Sequence, residues 1–297
     1  MGKDLYRRAS VVRDTFEEAS EILDLDLAAL CFEGPEEELQ KTVNQQPAIL
    51  TVSCALARLL QENGVVPEVA AGLSLGEYSA LVTAGALAFA DAVELVRRRG
   101  RYMQEAVPLG EGGMAALLGL DRQAVEQVCQ AASSPAGKVA PANYNAPRQI
   151  VVSGHLPAVE RAIELALAAG AKHAVKLPVS APFHCSLMRP AAERLAVDLA
   201  EVQIHPARVP VVANVTASFV REPGEIRHYL LEQVSSPVLW EDSVRTMCEH
   251  GISHFIEAGP GRALCNFVRR IDRSATCGGV SDWESVESLL DSRKGVC

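Results

Sequence analysis

The stretch at residues 67–87, PEVAAGLSLGEYSALVTAGAL, constrains the fold more than any other part of the sequence. A short apolar run with the length of a buried strand ends at Gly72, and a helical pattern begins at Leu75. Between them, Ser74 lies in a Gly-x-Ser-x-Gly sequence, which is typical of a sharp strand–turn–helix connection. Because such connections occur where buried strands alternate with helices, the stretch predicts an α/β protein.

Other segments repeat this alternation. Apolar positions at helical intervals predict helices at 2–30 (with Leu5, Val12, Phe16, Ile22 and Leu25 apolar), 45–64 (opened by Pro47 and ended at Gly64), 75–87 and 89–107. Short β-branched runs at 208–215 and 253–259 are typical of strands buried in a parallel sheet, each leading into a loop and a helix. The sequence EAGPGRAL, residues 257–264, favours a tight strand-to-helix turn over a phosphate site.

Residues 113–180 have a different order of elements. The pattern predicts strand 113–120, helix 121–132, strands 138–147 and 148–155, helix 156–170 and strand 172–179. This βαββαβ order is that of the ferredoxin-like fold. We therefore predict a large α/β domain formed by residues 1–110 and 181–297, with a small domain, residues 111–180, inserted into it.

Composition limits the partners and the compartment. The net charge of −9 argues against binding to nucleic acid or to an anionic membrane. No apolar run reaches membrane-spanning length and the start, MGKDLYRRAS, lacks a signal core, so we expect a cytoplasmic protein. We expect buried thiols, not disulfides or a zinc site, at the eight cysteines: Cys31, Cys54, Cys129, Cys185, Cys248, Cys265, Cys277 and Cys297.

Ser74 is the first candidate for chemistry. A serine on a strained turn projects its hydroxyl away from the backbone, and Gly72 and Gly76 suit a crowded turn of this kind. The helix that follows directs its free N–H groups at the same place, so the Leu75 N–H is a natural oxyanion donor. The pentapeptide by itself also occurs as an ordinary small-residue corner.

A serine nucleophile needs a base, and His184 is the best placed histidine. It lies in a proline-bounded loop, LPVSAPFHCSLMRPA, at the junction where the small domain rejoins the large one, and clefts form at such junctions. The residues alone leave open a histidine that only packs in the loop. His250 and His254 lack the helix and the carboxylates of a metal site, and we expect the others on the surface: His155, His173, His205 and His228.

Five motifs carry a resemblance to a known family: GLSLGEYSALVTAGAL (72–87), RRRGRYMQEAVPLGEGGMAALLGL (97–120), NYNAPRQIVVSGH (143–155), APFHCSLM (181–188) and EAGPGRAL (257–264). In this order and spacing they resemble the malonyl-CoA:acyl-carrier-protein transacylases, which are similar to the acyltransferase domains of polyketide and fatty-acid synthases. The resemblance covers essentially the whole chain. It implies an α/β-hydrolase-like parallel-sheet core with an inserted ferredoxin-like subdomain.

The resemblance also implies roles for single residues. Ser74 corresponds to the nucleophile that takes the malonyl group as an ester, and His184 to the general base, which the family orients by a backbone carbonyl instead of an aspartate. Arg99 corresponds to the arginine that binds the malonyl carboxylate. Helical geometry allows only one of the consecutive arginines 97–99 to face Ser74.

Four further groups are implied at the site: the Leu75 N–H, Gln46, Asn143 and Phe183. Leu75 corresponds to an oxyanion donor, Gln46 to a glutamine near the site, and Asn143 lies in a matching motif. Phe183 resembles the malonyl-selective form of the related domains, and its ring would disfavour a methyl-branched acyl group by about 1–3 kcal/mol.

Three features depart from the family. Leu73 replaces a usual histidine, and we expect its side chain to point away from the ester. Leu239 replaces a common glutamine, and if the role there is a backbone carbonyl that accepts from His184, the side chain can change without loss. The family's opening strand and GQGSQ-type loop, with a second oxyanion donor, have no counterpart, so we expect Met1 to be an internal methionine of a longer native chain.

The resemblance implies a ping-pong enzyme of fatty-acid biosynthesis that transfers malonyl from malonyl-CoA to the pantetheine thiol of acyl carrier protein. It implies no metal or redox cofactor and a monomer. Because the carrier protein is acidic in this system, we treat one basic cluster as a hypothetical docking site: Arg262, Arg269, Arg270 and Arg273.

Two alternatives belong to other functional classes. A serine thioesterase or esterase would use Ser74 to transfer the acyl group to water, but ordinary ester substrates give no reason for a cation at Arg99. A truncated, non-catalytic binder of CoA thioesters or carrier protein would fit the missing opening loop, but not the presence of Ser74, His184 and Arg99 together.

Overall fold

The computed structural model describes residues 1–179 and 181–294. The chain opens with α1 (Lys3–Arg8), α2 (Ser10–Leu23), α3 (Leu27–Glu33), α4 (Glu36–Gln40), α5 (Thr42–Glu62), β1 (Ala70–Ala71), α6 (Leu75–Thr83) and α7 (Phe89–Glu105). It continues with β2 (Gly112–Leu118), α8 (Arg122–Ala132), β3 (Val139–Ala146), β4 (Gln149–His155), α9 (Leu156–Ala168) and β5 (His173–Lys176). It closes with α10 (Arg189–Glu201), β6 (Val211–Val212), β7 (Phe219–Val220), α11 (Pro223–Gln233), α12 (Trp240–Glu249), β8 (His254–Ala258), α13 (Ala263–Ile271), β9 (Thr276–Val280) and α14 (Trp283–Lys294).

The helix predicted over residues 2–30 is divided among α1, α2 and α3. Ala9 is extended (φ −118°, ψ 125°) and Asp24 is left-handed (φ 47°, ψ 49°), and neither conformation continues a helix. The Asp26 carboxylate then accepts from the Ala29 N–H at 2.8 Å and starts α3. Leu5 and Phe16 are buried on the two sides of the first break, so the apolar period alone does not reveal it.

Helix α5 begins earlier than predicted. Pro47 lies inside it rather than at its opening, although a proline there removes the N–H that would bond the carbonyl four residues before. Gly100 of α7 packs so closely on the first turn of α5 that a Cβ there would lie 2.6 Å from the Thr42 carbonyl oxygen. The first turn of α5 is therefore in close contact with α7, and local sequence signals do not contain this contact.

The strands of the large unit form parallel pairs, which confirms the α/β class. β1 pairs with β6, and β8 with β9, in parallel. Two details differ from the prediction. β6 pairs antiparallel with β7 before the chain reaches α11, and β8 is half-exposed, with Ile256 at 38%. Among the described residues β9 is the single strand neighbour of β8, so one edge of β8 stays uncovered by sheet.

The connection from β8 to α13 is the tight turn that the sequence predicts. Gly261 has a φ of 94°, and the Glu257 carboxylate accepts from the N–H groups of Leu264 at 3.1 Å and Cys265 at 2.8 Å. The first turn of α13 is thus satisfied by a carboxylate of the chain itself.

The middle of the chain forms the predicted βαββαβ unit. Its antiparallel sheet has the order β3–β4–β2–β5, with Val125 of α8 and Val159 of α9 in the same apolar cluster as Leu117 of β2. Val238 joins this unit to the rest, because it exchanges backbone hydrogen bonds of 2.9 Å with Ala142 and Tyr144 of β3. The division into 1–110 with 181–297 and 111–180 stays a prediction, and residues 180 and 297 lie outside the described residues.

The cysteine prediction is wrong for one pair. Cys265 of α13 and Cys277 of β9 form a disulfide, with their Cα atoms 5.2 Å apart. These cysteines meet because α13 packs on β9, and their spacing in the sequence matches no motif. Four others are buried thiols as predicted: Cys31, Cys54, Cys129 and Cys185. Cys248 is a partly exposed thiol, and Cys297 lies outside the described residues.

No helix among residues 1–179 and 181–294 combines the length and the apolar character needed to cross a membrane.

Candidate active site

The turn between β1 and α6 positions Ser74. Its backbone lies at φ 53° and ψ −105°, a conformation that a non-glycine residue adopts only when the surroundings hold it. A Cβ at Gly72 would lie 2.1 Å from the backbone of Gly76, so Gly72 is required by crowding, as predicted. A Cβ at Gly76 would meet nothing within 4 Å, so crowding does not explain the second glycine.

Ser74 and His184 form a hydrogen-bonded pair. The Ser74 Oγ lies 2.7 Å from the His184 Nε2, and the His184 Nδ1 lies 2.8 Å from the backbone carbonyl oxygen of Gln233. Because a carbonyl only accepts, Nδ1 carries the proton and Nε2 is the free base that accepts from the serine hydroxyl. Burial, followed by the charge of Arg99, lowers the His184 pKa to about 4, so the imidazole is neutral at physiological pH.

Arg99 is the buried cation of the site. Its Nη1 donates to the Gln46 Oε1 at 2.7 Å, and its Nη2 donates to the Ser74 Oγ at 3.1 Å and the Gln233 Oε1 at 3.0 Å. The Tyr78 ring lies 5.4 Å from the guanidinium. Arg99 is 2% exposed, and burial lowers its pKa. In the described part of the chain its acceptors are hydroxyl and amide oxygens, which leaves the cation able to bind an anion.

The other arginines of this run point elsewhere, as helical geometry requires. The Arg97 Nη1 donates to the Leu23 carbonyl, and Arg98 pairs with Asp198 at 2.7 Å and with Glu94. Of the consecutive arginines, Arg99 faces Ser74.

The remaining predicted residues lie at different distances from the reaction centre. Gln46 joins it through Arg99. No described residue accepts from the Leu75 N–H at the start of α6, so this donor is free for an oxyanion. Phe183 is half-buried beside His184 and packs on an apolar cluster that includes Met114. Asn143 is buried in β3, and its backbone bridges to Val238; no described contact joins its side chain to Ser74.

The two substitutions relative to the family lie outside the serine–histidine pair. Leu73 packs on the apolar cluster around Val212 and Trp240, away from His184, as predicted. Leu239 does not supply the carbonyl for His184, so the condition on which the sequence analysis considered its backbone is not met. Its carbonyl accepts from Ser243, and the group that orients the imidazole is the carbonyl of Gln233 at the end of α11.

Other candidates do not assemble into sites. The His250 Nδ1 bonds the Thr246 carbonyl, and His254 is exposed. Among the described residues no group of three or more His, Cys, Asp and Glu side chains could hold a metal ion. In the basic cluster, Arg269 donates to the Cys277 carbonyl and Arg270 to the Pro147 carbonyl.

Sequence reasoning missed three buried polar residues around Ser74: Glu77, Asn214 and Gln233. Asn214 follows β6 and its Oδ1 accepts from the Ser74 N–H at 2.6 Å. Gln233 ends α11 and its Nε2 donates to the Ser74 carbonyl at 3.0 Å. A signal existed for Glu77, because Ser-x-x-Glu at a helix start is a capping pattern. Asn214 and Gln233 carry no comparable signal.

Comparisons with known proteins match nearly the whole chain to acyl transferases. The acyl transferase domain family matches residues 1–289. The malonyl CoA-acyl carrier protein transacylase of Bacillus subtilis is 47% identical over 294 residues, which cover 99% of this chain and 93% of that protein. The solved structure of the corresponding protein from Coxiella burnetii has a TM-score of 0.96 at 43% identity, covering 98% of this chain and 92% of that chain. A malonyl-transacylase solved in complex with its type II PKS acyl-carrier protein has a TM-score of 0.96 at 44% identity, covering 98% of this chain and 94% of that chain.

Proposed function

The chain belongs to the acyl transferase domain family and, within it, to the malonyl CoA-acyl carrier protein transacylases, and from this premise we propose how Ser74, His184 and Arg99 perform malonyl transfer in fatty-acid biosynthesis. The donor is malonyl-CoA and the acceptor is the pantetheine thiol of acyl carrier protein. One observation carries the proposal: a partly buried serine is hydrogen-bonded to a buried imidazole, and the same hydroxyl oxygen accepts from a buried guanidinium 3.1 Å away.

The first half-reaction forms a malonyl-serine. His184 Nε2 takes the Ser74 proton as the oxygen attacks the thioester carbonyl carbon. The carbonyl oxygen becomes an oxyanion that the Leu75 N–H stabilises. The intermediate collapses as the carbon–sulfur bond breaks, and His184 returns the proton to the CoA sulfur.

The second half-reaction runs the same steps in reverse. The pantetheine thiol loses its proton to His184 and attacks the malonyl-serine carbonyl. The carbon–oxygen bond breaks, and the Ser74 oxygen takes the proton back from His184. The neutral resting state of His184, set by burial, suits it to accept a proton in each half-reaction.

Arg99 selects the acyl group. A malonyl carboxylate is one methylene away from the reacting carbonyl, which matches a cation in direct contact with the nucleophile oxygen. The carboxylate would replace the Ser74 hydroxyl as an acceptor for Arg99, and this binding holds the carbonyl against the oxygen that attacks it. Gln46 and Gln233 keep the guanidinium in place, and the Phe183 ring disfavours a methyl branch.

The same proposal includes several properties of the whole protein. The CoA thioester is a substrate and no cofactor takes part. The protein works as a monomer in the cytoplasm, and the small unit at 111–180 forms one wall of the substrate cleft. A hydrolase would share Ser74 and His184, but a buried cation beside the nucleophile favours transfer of a dicarboxylic acyl group.

Intact-protein mass after brief exposure to malonyl-CoA tests the proposal, with Ser74→Ala beside the wild type. We expect a malonyl adduct on the wild type alone, discharged when holo acyl carrier protein is added. An adduct that decays at the same rate without the carrier protein would indicate a hydrolase. If no adduct formed even with high malonyl-CoA, the chain would be a binder instead.

A further inference from the structure

Both peptide groups that flank Ser74 are held by side-chain amides. The Asn214 Oδ1 accepts from the Ser74 N–H at 2.6 Å, and the Asn214 Nδ2 donates to the Gly72 carbonyl at 2.7 Å. The Gln233 Nε2 donates to the Ser74 carbonyl at 3.0 Å. These contacts surround the one residue of the turn whose backbone is strained, so they determine whether its hydroxyl faces His184.

Asn214 and Gln233 are in turn held by a single carboxylate oxygen, through the backbone of the first and the side chain of the second. The Glu77 Oε2 accepts from the Asn214 backbone N–H at 3.0 Å and from the Gln233 Nε2 at 2.8 Å. Glu77, Asn214 and Gln233 are each at most 2% exposed. A carboxylate buried this deeply is retained in a fold only when it is hydrogen-bonded, and here its donors are the groups that hold Ser74.

The local sequence would normally use Glu77 differently. In a Ser-x-x-Glu capping box the serine hydroxyl and the glutamate bond each other's backbone N–H groups. Here the Ser74 hydroxyl is directed at His184 and makes no cap, and Asn214 takes the Ser74 N–H that the glutamate would accept. Glu77 is thereby released from its local role and bonds two elements that are distant in the sequence.

The charges around Glu77 fit an acceptor role. Burial raises its pKa to about 7, while the hydrogen bonds from Gln233 and Asn214 and the charge of Arg99 act to lower it. Its neighbour Tyr78 is buried with its pKa raised to about 12 and is neutral. The hydrogen bonds from the two amides are therefore the main compensation that Glu77 has for its burial.

We propose that Glu77 and Asn214 are positioning residues, which hold the Ser74 peptide and the Gln233 side chain so that the serine oxygen lies between His184 and Arg99. This inference rests on the proposed function, because its effect is on the rate of malonyl-serine formation. The active feature is the acceptor oxygen at position 77. The pair acts through Ser74 and Gln233, and it contacts no reacting atom.

Single-turnover malonylation, followed by quenched-flow mass measurement, separates this role from a merely structural one. The amplitude reports the fraction of folded protein, whereas the observed rate constant reports the geometry of the folded fraction. Glu77→Met removes the acceptor at nearly constant length, and we expect a rate constant about 100-fold lower at saturating malonyl-CoA. Glu77→Gln keeps an oxygen that can accept both hydrogen bonds, and we expect a rate constant close to wild type.

Asn214→Ala provides a second variant that leaves the Glu77–Gln233 bond in place, and we expect a similar loss of rate. A wild-type rate constant in Glu77→Met, with the loss confined to amplitude, would overturn the inference, as would a Glu77→Gln protein as slow as Glu77→Met. Either result would contradict the positioning role only, because malonylation of the wild type, on which the proposed function rests, would still be observed. A wild-type chain that formed no adduct would overturn the two together.

Discussion

Arg99 is a cation held in the protein interior by neutral groups. Its amide partners, Gln46 and Gln233, fix the direction of the guanidinium without cancelling its charge. A carboxylate partner would do both, and the site would then have less to offer an anionic substrate. Holding Arg99 by amides instead of carboxylates therefore favours an anionic substrate.

Replacing Arg99 by methionine should remove this selectivity. A hydrogen bond to a charged group is worth about 1.5–3 kcal/mol, so we expect malonylation to slow about 10- to 100-fold, with a smaller effect on acetyl-CoA. The measurement is the rate of adduct formation with each thioester. Arg98→Met is the control, because that arginine pairs with Asp198. Equal losses with both thioesters would show that Arg99 only supports the fold.

The shifted pKa values of His184 and Glu77 change the pH dependence of folding stability in opposite directions. The His184 pKa is lowered from 6.5 to about 4, so as pH falls through this range the unfolded chain binds a proton that the folded chain does not. The Glu77 pKa is raised from 4.5 to about 7, so the folded chain binds its proton first as pH falls from 7 to 4.5. Lowering the pH therefore destabilises the folded chain through His184 and stabilises it through Glu77.

A His184→Gln variant isolates the first of these effects. Between pH 6.5 and 4 the wild type should lose about 3 kcal/mol of unfolding free energy through His184, and the variant should lose that much less. Urea unfolding of both proteins at the two pH values measures the difference. Parallel pH dependences would mean that His184 is protonated in the folded chain.

At the scale of elements, the β1–α6 turn shows why a nucleophile is placed on a tight connection. The strand ends three residues before Ser74, the helix begins one residue after it, and the backbone of Gly72 faces that of Gly76 at contact distance. The turn thereby presents the hydroxyl together with the N–H of Leu75, the donor at the start of α6 that no described residue accepts from.

The two glycines of this turn should respond differently to alanine. Gly72→Ala brings a Cβ to 2.1 Å from the Gly76 backbone, and we expect a loss of at least about 1–3 kcal/mol in unfolding free energy. Gly76→Ala has room and adds helix propensity in α6, so we expect no loss and a gain of up to about 1 kcal/mol. Urea unfolding compares them, and similar losses in both variants would contradict this account of the turn.

At the scale of the whole molecule, charge must guide the carrier protein locally. The chain has a net charge of −9, so its overall field repels an acidic partner. All four arginines of the basic cluster are exposed, but Arg269 and Arg270 also donate to backbone carbonyls. We expect the other exposed pair, Arg262 and Arg273, to contact the carrier protein, because their side chains are not used in this way within the described part of the chain.

Reversing the exposed pair, with Arg262→Glu and Arg273→Glu together, should raise the KM for acyl carrier protein roughly severalfold and more at low salt. Formation of the malonyl adduct should not change, because the first half-reaction does not involve the carrier protein. Arg161→Glu, at an exposed position on α9, controls for the change in net charge. An unchanged KM in the double variant would exclude this surface as the dock.

Local sequence signals predicted the βαββαβ unit and placed Ser74 on a tight connection between a strand and a helix. Apolar periods define the βαββαβ unit, and the Gly-x-Ser-x-Gly turn between a strand and a helix identifies Ser74, because these signals are local in the chain. The motif resemblance added His184, Arg99 and Gln46, which the fold then brought together.

The contacts that hold these residues in place come from tertiary packing. Asn214 is 140 residues from Ser74 and Gln233 is 159 residues from it, and the Cys265–Cys277 disulfide depends on how α13 packs on β9. The first turn of α5 at Thr42 is likewise in close contact with Gly100 of α7. Such contacts satisfy buried polar groups and close packing between elements, and neither requirement leaves a period or a spacing in the sequence.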